Sequence, residues 1–165
     1  LCAMLSRFWI NIGKLVVCIF ASQAAGTLGA LTTATGSSPW YQSLEKPWFT
    51  PPGWVFAPVW ITLYALMGVA AFLVWRRGLS HPGVKLAMGL FVVQLILNAV
   101  WTPIFFGLHS PTGGLAVIIA LLVAIVATTL AFRPISITAT LLMGPYLLWV
   151  AFALALNGAG VWLNP

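Results

Sequence analysis

Apolar residues in this chain run in long blocks, broken by short clusters of charge, glycine and proline. The blocks cover about residues 8–31, 53–75, 84–106, 114–132 and 135–157. Each is close to the ~20 residues that a helix needs to cross the hydrocarbon of a bilayer. Barrel strands would instead alternate apolar and polar positions over about 10 residues, and no such alternation is present. Arg76-Arg77-Gly78 stops the second block, Ser80-His81-Pro82-Gly83 makes a tight turn, and Arg133-Pro134 closes the fourth. The pattern predicts an all-α integral membrane protein: a single domain over 1–165, built as a bundle of five transmembrane helices with a long first loop as lid.

That lid is the most distinctive stretch. Residues 40–64 hold Trp40, Trp48, Trp54 and Trp60, together with Pro47, Pro51, Pro52 and Pro58, and Glu45 is the one acidic side chain of the chain. Proline fixes φ and removes a backbone donor, so the loop should be stiff. Pro51 and Pro52 also suit the first turn of a helix, where a missing N–H costs nothing. Indoles at the entry to an apolar block fit the boundary between water and lipid.

Composition supports the membrane reading. Charged residues make up 5% of the chain and mean hydropathy is +1.07, whereas a soluble domain carries about 25% charged residues. A net charge of +6 and a pI near 10.0 would in a soluble protein raise nucleic acid as a partner. Here Arg7, Lys14, Arg76, Arg77, Lys85 and Arg133 sit mostly at block ends, which fits topology signals and lipid headgroups and no nucleic acid. Arg7, Arg76, Arg77, Lys85 and Arg133 fall on the side of the N-terminus, with Lys14 near the boundary, and Lys46 alone on the other, so the positive-inside rule puts the N-terminus in the cytoplasm. Arg7, Lys14 and the run Leu15 to Ala24 resemble a secretory signal, but apolar character continues to Leu31, which favours a retained span. Ala21, Ala25 and Gly29, and Ser22, Gly26 and Ala30, recur every four residues and suit close helix packing in lipid.

Conventional catalysis has little material. One carboxylate rules out paired-carboxylate chemistry. Cys2 and Cys18 form no metal or disulfide pattern, and His81 and His109 read as solvated turn residues. No metal site is expected. More suggestive are aromatic and amide side chains at helical spacing: Phe56, Trp60 and Tyr64; Gln94, Asn98, Trp101 and Phe105; Tyr146, Trp149, Ala153, Leu156 and Asn157. Residues three and four apart share a helix face, and amides in lipid need partners, so Gln94 and Asn98 should face inward. Three such stripes can converge on an apolar pocket for a flat ligand, or can serve as helix packing alone; spacing does not choose between them.

The same residues carry a resemblance. W-Y-x-x-L-x-K-P at 40–47, W-x-x-P-P-x-W at 48–54, P-x-W-x-x-L-Y at 58–64, N-x-x-W-x-P-x-F-F-G at 98–107 and P-Y-L-x-W-x-x-F-A-x-x-L-N at 145–157 resemble the TspO/MBR family of tryptophan-rich sensory and translocator proteins. The resemblance implies five helices around a lidded cavity that binds porphyrins such as protoporphyrin IX, haem-related tetrapyrroles, sterols or isoquinoline and benzodiazepine drugs. It makes Trp54, Trp60, Tyr64, Asn98, Trp101, Trp149, Phe152, Ala153 and Leu156 the ligand-binding set. Porphyrin or haem would be a ligand, with no cofactor required, membrane lipid surrounds the chain, and a homodimer is admitted. The implied role is a receptor or carrier for tetrapyrroles, in porphyrin or stress signalling. A first alternative is light- and oxygen-dependent porphyrin degradation, in which Trp60 and Trp149 would be the catalytic pair. A second is a sterol- or lipid-binding or scaffold protein, although the tail from Asn157 to Pro165 lacks the Tyr and following Lys or Arg of the mammalian sterol signature.

Overall fold

The computed structural model of the chain describes residues 2–31 and 38–165. Helix α1 spans Cys2–Leu31, the short α2 Pro39–Ser43, α3 Gly53–Trp75, α4 Val84–Thr102, α5 Pro111–Phe132 and α6 Ile137–Leu163; a π-helical turn, Pro103–Gly107, extends α4. Among the described residues, five segments are long and apolar enough to cross a membrane: Met4–Leu28, Gly53–Trp75, Val84–Gly107, Pro111–Phe132 and Ile137–Leu163. The second span begins and ends where the pattern placed it. The first starts earlier and the last runs on to Leu163, because helix continues past the apolar block where side chains of mixed polarity tolerate it.

Serine caps set several starts. Ser38, Ser110 and Ser136 accept hydrogen bonds from the backbone N–H of Tyr41, Gly113 and Ala139 at 3.1, 3.0 and 3.2 Å, each satisfying an otherwise orphaned donor. Pro52 is the N-cap of α3, so Pro51 and Pro52 precede the helix and do not occupy its first turn. Within the spans, hydroxyls bond back four residues, as Ser22 does to the Cys18 carbonyl at 2.9 Å and Thr128 to Ala124 at 2.7 Å. That keeps a polar group satisfied where lipid offers no partner.

The spans close into a ring in the order α1, α3, α6, α5, α4 and back to α1. Small residues set the tightest approaches. A Cβ on Gly68 of α3 would lie 2.7 Å from the Ile19 Cα of α1, and one on Gly26 would lie 2.1 Å from the Tyr64 ring edge. Ser22 and Ala25 of the small-residue stripes are buried; the packing of Gly29 and Ala30 lies outside the described side chains. Lys14 reaches across to the end of α3, its Nζ 3.5 Å from the Trp75 carbonyl and 5.4 Å from that indole. Large apolar side chains such as Phe20, Val123, Leu141 and Leu148 cover the outside, the distribution expected of a surface bathed in lipid.

Candidate functional site: an aromatic cavity under the first loop

Between the spans and beneath residues 41–51 lies a cavity of about 750 Å³, within the ~300–1,000 Å³ of small-molecule sites. Trp60 and Tyr64 reach it from α3, Asn98 and Trp101 from α4, and Trp149, Ala153 and Leu156 from α6. Two residues of the expected set are placed elsewhere. Trp54 is 76% exposed, because it lies on a different face of α3 from Gly53, Phe56 and Trp60, which line the cavity. Phe152 is half-buried behind the wall, packed on Trp149 and Phe49 with centroids 5.6 and 6.3 Å apart.

Rings in the wall hold one another. Trp60 stacks on Tyr64 at 5.3 Å and meets Tyr146 edge-on at 6.3 Å. Trp101 stacks on Phe105 at 5.0 Å. Such pairs contribute about 0.5–1.5 kcal/mol beyond burial. Phe105 owes its direction to the π turn: Pro103 has no N–H to continue the α pattern, and Leu108 N–H instead bonds the Pro103 carbonyl five residues back at 3.0 Å. One wide turn of this kind often marks a functional region.

Polar groups form a buried chain. The Tyr64 hydroxyl donates to Asn98 Oδ1 at 2.5 Å, Asn98 Nδ2 donates to the Tyr146 hydroxyl at 2.9 Å, and Tyr146 donates to Gln94 Oε1 at 2.8 Å. It links α3, α4 and α6 at the cavity floor. Near the lid, Trp101 Nε1 donates to Asn157 Oδ1 at 3.3 Å, and Asn157 Nδ2 to the Pro111 carbonyl at 2.9 Å. Among the described residues one buried side-chain polar atom has no partner: Trp149 Nε1. A buried donor left unpaired costs about 1–3 kcal/mol, and this one belongs to a residue of the cavity wall.

Sequence reasoning passed over two features. His109, expected to be simply solvated, stacks on Trp40 at 4.7 Å, and Trp40 meets Phe105 edge-on at 5.7 Å, so the α4–α5 turn grips the lid. Asn164 clasps the lid from α6: its Oδ1 accepts from Glu45 N–H at 2.9 Å and its Nδ2 donates to the Glu45 carbonyl at 3.0 Å. Among the described residues no group of His, Cys, Asp and Glu could hold a metal.

The model of the TspO/MBR family matches residues 18–163. The chain belongs to the TspO/MBR family. A tryptophan-rich protein TspO of Archaeoglobus fulgidus is 43% identical over 155 residues, covering 94% of this chain and 99% of that protein. The tryptophan-rich sensory protein of Cereibacter sphaeroides is 38% identical over 144 residues, 87% of each. The human translocator protein is 42% identical over 120 residues, 72% of this chain and 70% of its own. TspO/MBR membership and the five apolar helices make this a multi-pass integral membrane protein.

Proposed function

We propose that this protein is a membrane receptor or carrier that takes tetrapyrroles, and other flat hydrophobic molecules, into the cavity beneath its first loop. The observation that carries the reading is the wall itself: indole and phenol rings from α3, α4 and α6 around about 750 Å³. Flat apolar faces suit a macrocycle. The ligand-binding set is then Trp60, Tyr64, Asn98, Trp101, Trp149, Ala153 and Leu156. The names of relatives as sensory and translocator proteins agree with a ligand-responsive role. The cation-rich end, with Arg76, Arg77, Lys85 and Arg133, is assigned to the cytoplasm by the positive-inside rule, which sets the lid and Lys46 on the opposite side.

Titration of the purified protein in nanodiscs with protoporphyrin IX, in the dark, tests this through tryptophan quenching. Saturable one-site quenching is expected, and Trp149→Leu, which removes an indole face from the cavity wall, should weaken binding about fivefold. Quenching that rises linearly, as in partition into lipid, would contradict the reading.

A further inference from the structure

The polar groups deep in the cavity, Tyr64 and Asn98, are hydrogen-bonded to one another, and among the described residues the lining holds a single cation, at the mouth. Lys46 lines it, on the face of the molecule opposite the other six basic residues. Its ammonium lies 4.7 Å from the centroid of the Tyr41 ring, and Tyr41 lines the cavity too. Burial raises the Tyr41 phenol above its ordinary pKa, so the ring under the ammonium is neutral at physiological pH. Glu45 stands beside Lys46 on the same rim, yet the two are not ion-paired; the Glu45 backbone is clasped on both its N–H and its C=O by Asn164. The ammonium is therefore held by an aromatic face and a fixed backbone, with its hydrogen-bonding capacity toward an anion unspent. Lysine is a compact, strongly hydrated charge on a flexible stem, so it can meet an anion at the wet rim without entering the apolar interior.

We infer that Lys46 is an anchor for a carboxylate: the cavity takes ligands with a flat apolar body that fills the interior and an acid arm that stops at the mouth. This rests on the tetrapyrrole reading above and adds to it the residue that would receive the ligand's acid arm. It also fixes orientation, with the acid edge toward the lid and the apolar edge toward Tyr64 and Asn98.

The test compares protoporphyrin IX with its dimethyl ester, the same macrocycle without the charges, on wild type, Lys46→Met and Lys46→Arg in neutral-lipid nanodiscs. Wild type should bind the acid about fivefold more tightly than the ester. That ratio should fall toward one in Lys46→Met, return in Lys46→Arg, and shrink as salt is raised through the screening range. Equal binding of acid and ester by wild type, or a ratio that Lys46→Met leaves in place, overturns the anchor while leaving the cavity reading intact. Saturable binding of neither compound overturns both. Because Lys46 is exposed, the Met variant should fold, which a thermal melt against wild type verifies.

Discussion

Tyr146 is fully buried and both accepts and donates a hydrogen bond, so its hydroxyl couples Asn98 to Gln94. Tyr146→Phe strands an amide donor on one side and a carbonyl oxygen on the other, whereas Tyr64→Phe removes only the donor to Asn98. Stranded polar groups cost about 1–3 kcal/mol, while hydrogen bonds between membrane helices average about 0.6 kcal/mol. The larger figure applies where no substitute partner exists, as in this fully buried pocket. Tyr146→Phe should therefore lower stability by about 1–3 kcal/mol, and by more than Tyr64→Phe, in unfolding from mixed micelles by SDS. Equal losses would mean that the chain does not act as a unit. That Gln94 and Asn98 face inward was legible, because an amide in lipid must find a partner. Their pairing with Tyr146 was not, since it depends on how far α6 is rotated against α4.

At the scale of elements, the spans could be read from hydropathy because lipid admits few alternatives to a helix. What escaped that reading is decided by contacts between elements. Helix α2 has five residues, too few for periodicity to register, and is held by the Ser38 cap and the grip of Trp40 on His109. The π turn needed Pro103 and the packing of Phe105 together. Trp54 shared a helix with Trp60 but lies six residues before it and so on another face, although Gly53, Phe56 and Ala57 of the same turn line the cavity. The α1–α3 seam rests on glycine: Gly68→Leu would drive a side chain into the Ile19 backbone, and overpacking of this kind costs about 1–3 kcal/mol, readable as a lower melting temperature. The Asn164 clasp makes a separate prediction for the lid. Asn164→Ala should speed hydrogen exchange at the Glu45 amide about fivefold, seen by mass spectrometry of a peptide spanning 40–52, and leave exchange in α5 unchanged.

For the whole molecule, the order of the spans places the aromatic faces of α3, α4 and α6 toward one interior, and the first loop roofs it. The motifs pointed to which rings would be there. Spacing alone could not distinguish a cavity from solid packing, because both bury the same stripes; only the separation of the helices at the lid end makes the difference. The protein's central property is thus the open volume itself. Ala153→Phe tests it most directly, since the added ring would project from the α6 wall into the space a macrocycle needs. The measurement is the dissociation constant of protoporphyrin IX for Ala153→Phe against wild type, with a thermal melt confirming the fold. Loss of saturable binding in a variant that melts at or above the wild-type temperature is the predicted result; an unchanged dissociation constant would contradict the account.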